Sequence, residues 1–142
     1  MLIILGSDHA GLALKEQIKS YLENSHNIID CGALVLDKDD DFSKYVLLMR
    51  KTFDQNPEAR IVAVCGSGVG MSIGLNKHKN IKCVLGHSVE EVVKARQHNN
   101  VNALSLSGST NIDLAKSMID AFLSTKSAKG KYQRRMSEIE LN

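Results

Sequence analysis

The chain has 142 residues, enough for one domain with a real core, and 43% hydrophobic and 24% charged residues are ordinary for a globular protein. No apolar run approaches the roughly 18 residues of a membrane span, and a net charge of +2 argues against a nucleic-acid partner. Cys31, Cys65 and Cys83 form an odd set without CxxC spacing, so free thiols in a reducing cytoplasm are expected, with neither disulfides nor a structural zinc.

The opening MLIILGSDHAG has no basic residue ahead of its apolar run, so it reads as a first strand over 2–6 and not as a secretory signal. From Gly11 the period changes. Leu14, Ile18, Tyr21 and Leu22 recur at helical spacing, with Lys15, Glu16 and Lys19 assigned to the polar face. A strand over 27–31 and a polar stretch through Asp41 follow, then a helix over 42–55 that Pro57 brings to an end. The second half repeats the rhythm. Strands are predicted at 61–65, 81–86 and 101–106, with helices around 70–77, 88–97 and 111–124. The last of these helices turns Ile112, Ala115, Ile119 and Phe122 inward. The tail from Lys131 to Leu141 suits a final polar helix.

Five buried strands alternating with helices predict an α/β fold: a three-layer, doubly wound, Rossmann-like five-stranded parallel sheet forming one domain over 1–142. Ligands of such sheets bind outside the carboxyl ends of the strands. Asp8 and His9 follow the first strand and Cys65 to Gly70 follow the third, while the placement of His98 depends on how its helix ends.

CGSGVGM carries three glycines and a serine between a strand and a helix. Such a loop turns sharply and offers unpaired N–H groups to an anion. It lacks the lysine of a P-loop and the G-x-G-x-x-G of a dinucleotide site. Cys65 sits where the helix dipole favours thiolate, so a reactive role outweighs that of a small buried residue. Cys31 and Cys83 read as buried and inert. In SDHAG, Ser7 or Asp8 serves equally well as a helix cap or as a functional group beside His9. His98, in RQHNN, is either a surface residue or a group titrating near neutrality, and His26, His78 and His87 read as surface residues. No histidine pair has metal-ligand spacing. Lys126, Lys129, Lys131, Arg134 and Arg135 cluster in the tail, where Lys131 and Arg135 share a helical face and form either a solvated terminus or a phosphate clamp.

In this order, SDHAG, CGSGVGMSI, RQHNNVNALSL and QRR resemble the motifs of ribose-5-phosphate isomerase B and the related galactose-6-phosphate isomerase subunits, over nearly the whole chain. The resemblance implies interconversion of ribose 5-phosphate and ribulose 5-phosphate through a cis-enediolate, with no metal or organic cofactor. Carried over motif by motif, Cys65 is the base and Ser67 assists transfer between the two oxygens. Backbone N–H groups of Gly66, Gly68, Val69 and Gly70 hold the oxyanion. His98 opens the sugar ring, Asp8 and Asn99 orient its hydroxyls, and His9, Lys131 and Arg135 hold the phosphate. The family also implies a homodimer or tetramer in the cytoplasm, with tail residues 126–142 crossing to complete a partner's site.

The sequence departs from the family pattern in three places. The usual D-Y-P-x-Y reads DFSKY, keeping Asp41 and Tyr45, the latter assigned to substrate binding, without the proline. Ser109 and Thr110 stand where relatives carry an arginine after the last strand. Lys131 and Tyr132 replace the tail's first arginine and its histidine, and lysine keeps the charge but not the bidentate fork. These changes fall on the phosphate side, so a hexose 6-phosphate such as that of allose or galactose is the alternative substrate. A non-catalytic sugar-phosphate-binding homologue is the alternative class, opposed by the intact Cys65, Ser67 and His98.

Overall fold

The computed structural model describes residues 1–140. Five strands form one parallel sheet: β1 (Leu2–Ser7), β2 (Asn27–Asp30), β3 (Arg60–Cys65), β4 (Cys83–Leu85) and β5 (Ala103–Ser107), in the order β2-β1-β3-β5-β4. Six helices connect and follow them: α1 (Leu12–Leu22), α2 (Phe42–Gln55), α3 (Val69–Asn76), α4 (Val89–Asn99), α5 (Ile112–Ser124) and α6 (Lys131–Glu138). The doubly wound expectation holds, and α6 stops at Glu138; Leu141, the expected end of that helix, lies outside the described residues.

Side-chain alternation along the central strands divides the core into two layers. Ile3, Leu5, Val62, Val64, Leu104 and Leu106 face α1, α4 and α5, whose Leu14, Ile18, Val92, Met118 and Phe122 meet them. Ile4, Ile61, Ala63 and Cys65 face α2 and α3, which supply Tyr45, Val46, Met49, Met71 and Leu75. The three inner strands are buried apart from one half-buried end residue each, Leu2, Arg60 and Ser107. The edge strands β2 and β4 are half-buried, which corrects the expectation of five buried strands, because each has one neighbour instead of two.

Lys15 corrects a second expectation. Helical spacing places it on the polar face of α1, yet its side chain is fully buried. Its ammonium donates to both Asp30 oxygens at 2.9 and 3.0 Å and to the Ala33 carbonyl at 2.6 Å, so the buried charge is paired and hydrogen-bonded. Burial alone would raise the Asp30 carboxyl. The bonds from Lys15, the Gly32 N–H and Lys19 outweigh it and hold that carboxyl below its usual range. Among the described residues, no helix is long and apolar enough to cross a membrane.

Candidate active site

The strand order reverses between β1 and β3: the chain leaves β1 for β2 on one side and returns to place β3 on the other. That switch opens a crevice at the carboxyl ends of the strands. Asp8 and His9 follow β1 into it, and Cys65 ends β3 beside them. Gly11 allows the approach. A Cβ there would lie 2.5 Å from the Val64 carbonyl oxygen, so only glycine lets the SDHAG turn press against β3.

Cys65 is 5% exposed and belongs to the core layer under α2 and α3. The loop after it is fixed from β5. Ser107 donates to the Gly66 carbonyl at 2.7 Å, Ser105 donates to the Gly68 carbonyl at 2.6 Å, and the Gly108 N–H donates to the Cys65 carbonyl at 2.7 Å. Gly68 takes a positive φ of 79° and starts α3, so the loop amides gather at a helix N-terminus. The Val69 N–H donates back to Ser67 Oγ at 3.2 Å. That amide, one of those expected to face the oxyanion, is therefore engaged within the loop itself.

Of the two capping candidates in SDHAG, Asp8 makes the bond. Its carboxylate accepts from the Gly11 N–H at 3.1 Å, so Asp8 caps the turn, and the Ser7 hydroxyl is buried with no partner among the described residues. His9 is held by a residue the motifs did not single out. Its Nδ1 lies 2.6 Å from Asp40 Oδ1 and its backbone N–H donates to the same oxygen at 3.1 Å, while Tyr45 donates its hydroxyl to Asp40 Oδ2 at 2.9 Å. Asp41, the aspartate matched to the family pattern, instead takes the N-cap position of α2 and makes no capping bond. The hydrogen bond that His9 donates to Asp40, with further help from Asp8 and Asp37, raises the imidazole above its ordinary 6.5. Ligating atoms of Asp8, His9 and Asp40 lie within 4.8 Å of one another, but hydrogen bonds inside the cluster already occupy His9 Nδ1 and both Asp40 oxygens.

The remaining expected residues lie elsewhere in the chain. α4 runs back from the carboxyl end of β4 and ends at Asn99, so His98 and Asn99 reach the amino end of the sheet. Cys65 pairs in register with Ser107 at the far end of β5. The length of β5 alone, about 13 Å at about 3.3 Å per residue, separates the two groups. The tail joins His98 at that end. Tyr132 stacks on the His98 ring at 4.4 Å between centroids, Lys131 and Arg135 flank Tyr132, and Asn99 contacts Met136. His98, Lys82, Lys129 and Tyr132 line a cleft of 290 Å³ there. One chain thus carries two clusters: Cys65, Ser67, Asp8, His9 and Tyr45 at one end, and His98, Asn99, Lys131 and Arg135 at the other.

Three other sequence readings meet the structure. Burial raises the Cys31 thiol, and desolvation of the sulfur pushes Cys83 up to about 12, as inert thiols require, though Cys83 on edge strand β4 is half-buried and not buried as expected. His78 is not a bare surface residue, because it pairs with Asp54 at 3.0 Å, and His26 Nδ1 is buried with no partner among the described residues. His87 is exposed and pairs with Glu91 one turn along α4.

The model of a family described as Ribose/Galactose Isomerase matches residues 3–139. The chain belongs to that family. Ribose-5-phosphate isomerase B of Mycolicibacterium paratuberculosis is 38% identical over 139 residues, covering 96% of this chain and 87% of the relative. Two solved structures superpose with a TM-score of 0.92. Ribose-5-phosphate isomerase B of Mycoplasma genitalium, with ribulose 5-phosphate bound, is 32% identical over 97% of this chain and 93% of that one. The Thermotoga maritima enzyme of the same name is 33% identical over 98% and 97%.

Proposed function

We propose that the protein interconverts ribose 5-phosphate and ribulose 5-phosphate, with Cys65 as the base. The carrying observation is the Cys65 thiol at the carboxyl end of β3, beneath a glycine loop at a helix N-terminus and beside Asp8 and His9. In the aldose-to-ketose direction Cys65 takes the proton from C2 and returns it to C1, while the hydroxyl proton moves from O2 to O1 with help from Ser67. The loop amides of Gly66, Gly68 and Gly70 stabilise the negative charge that develops on the enediolate oxygens. Asp8 orients a sugar hydroxyl with the carboxylate oxygen that does not cap the turn. His9 takes the phosphate.

The other cluster acts in a partner subunit. His98 opens the sugar ring, Asn99 orients a hydroxyl, and Lys131 and Arg135 close on the phosphate of the neighbouring site, as the family pattern implies. What supports this reading is the placement of the two clusters at opposite ends of one chain, since a two-fold dimer would set the Cys65 end of one copy against the His98 end of the other. Exposed apolar side chains also support it. Leu34, Val35 and Leu36 are 72%, 73% and 62% exposed, and Val69 and Ile73 stand exposed on α3. The three free thiols fit the reducing cytoplasm, where the reaction would serve pentose phosphate metabolism.

The decisive measurement is exchange of the C2 proton with solvent, run side by side on ribose 5-phosphate, allose 6-phosphate and galactose 6-phosphate. Fastest exchange with the ribose ester is the expected result. Fastest exchange with a hexose ester would move the substrate to the hexose class, and binding without exchange on any sugar would leave only a sensor. Cys65→Ala should lower exchange by about 10²- to 10⁴-fold, and full turnover in that variant would end the thiolate mechanism.

A further inference from the structure

Asp40 lies in the loop before α2, outside every motif that carries the family resemblance, yet its side chain is only 4% exposed. A carboxylate buried to that extent needs hydrogen-bond donors, and Asp40 has three: the His9 backbone N–H, His9 Nδ1 and the Tyr45 hydroxyl. Two of the three come from one residue. Asp40 thereby grips His9 at both its backbone and its ring. With Nδ1 turned to Asp40, Nε2 is the remaining polar edge of an imidazole whose side chain is one-third exposed.

Resting on the isomerase reading above, we propose that Asp40 is a positioning residue for phosphate binding: it fixes the His9 ring so that the Nε2–H edge is the one offered to the substrate's phosphate. A neutral imidazole with Nδ1–H bonded to a carboxylate would present a bare Nε2 lone pair, which repels a phosphate oxygen. Asp40 therefore has a second effect, because its negative charge favours the doubly protonated ring, in which both nitrogens donate. The groups acting on the His9 ring are Asp40, Asp8 and Asp37, and all three favour its charged form. Tyr45 reaches it through the other Asp40 oxygen. The replacement of the family's post-β5 arginine by Ser109 and Thr110 gives this cation more weight on the phosphate side than it would have beside a guanidinium.

The test is Asp40→Asn in the full-length protein. Asparagine can still accept from His9 through its oxygen and donate its amide N–H to the Tyr45 oxygen, so the shape survives while the charge is lost. Three readouts follow. The His9 ring titration, followed by nitrogen-detected NMR and assigned with His9→Gln, should move down by about one pH unit. The KM for the sugar phosphate at neutral pH should rise on the order of tenfold, by more than kcat falls, and the inhibition constant of inorganic phosphate should rise in the same proportion. In the wild type KM should climb as pH passes above the raised His9 value, and in Asp40→Asn that climb should begin at lower pH. The phosphate's own ionisation is common to both proteins and cancels.

A double-mutant cycle separates positioning from mere packing. In a His9→Gln background, Asp40→Asn should leave KM almost unchanged. An equal KM increase in both backgrounds, or an unshifted His9 titration, overturns the proposal. If no sugar phosphate is turned over, the isomerase reading fails on its own, and the His9 titration and inorganic phosphate binding still decide the role of Asp40.

Discussion

Lys15 and Asp30 show how one buried pair holds the frame of the site. Lys15 bonds the Ala33 carbonyl and Asp30 accepts from the Gly32 N–H, so the pair fixes the start of the loop that carries Asp40 to His9. Replacing Lys15 with methionine would leave a largely buried carboxylate with Lys19 and one backbone N–H as donors. Loss of one partner from a buried ion pair costs about 3–5 kcal/mol, to be read as a lower urea midpoint. The pH dependence follows from the direction of the Asp30 shift. Its folded carboxyl lies below the unfolded value of about 3.9, so the pair's stabilisation is present above that pH and is lost as pH falls through the folded value. Stability of the wild type should therefore drop on acidification in that window, and Lys15→Met should show a shallower drop. An equally steep acid limb in both proteins would dissociate the pair from acid lability. At this scale the sequence revealed Cys65, whose place at a strand end before glycines is a local fact. It concealed Asp40 and Lys15. Both lie in charged surroundings that look solvated until the chain brings His9 and Asp30 to them.

At the scale of elements, the glycine loop after Cys65 depends on β5 as much as on its own glycines. Ser105 and Ser107 alternate with Leu104 and Leu106, so the leucines enter the core while the serines reach the carbonyls of Gly68 and Gly66. That alternation is visible in ALSLS, but its purpose is not, because nothing in the sequence says which loop lies beside β5. Gly68 is the point of least tolerance. Its φ is +79°, and a Cβ there would lie 2.6 Å from Leu85 Cδ1 and 2.9 Å from the Leu106 carbonyl carbon. Gly68→Ala should cost about 1–3 kcal/mol in backbone strain and displace the loop amides, lowering kcat along with the unfolding midpoint. Wild-type turnover in that variant would show that loop geometry is not what stabilises the oxyanion. Element boundaries were legible to within a few residues, since apolar periodicity and punctuation by Pro57 and the glycines are local. Edge burial was not, because it depends on strand order.

For the whole molecule, the separation of Cys65 from His98 within one chain makes a prediction that stability measurements cannot address. Cys65→Ala and His98→Ala should each be nearly inactive alone. Dissociated and reassembled together, they should form mixed dimers with one intact site, recovering about a quarter of wild-type activity at equal mixing. Absence of recovery from mixed dimers verified by mass would place both residues in one subunit's site and overturn the crossed arrangement. The tail bears on the same question. In the single chain α6 lies along α4, with Tyr132 on His98 and Lys82 paired to Glu140, so the basic residues Lys131 and Arg135 accompany His98. By itself the sequence determined the α/β alternation, the glycine loop with its thiol, and the family, because these rest on periodicity and on motifs a few residues long. Only the tertiary structure decided that Asp40 and not Asp41 holds His9, that Lys15 is buried, and that Cys65 and His98 occupy opposite ends of the sheet. Those facts depend on strand order and chain direction, which bring together or keep apart residues that no local pattern relates.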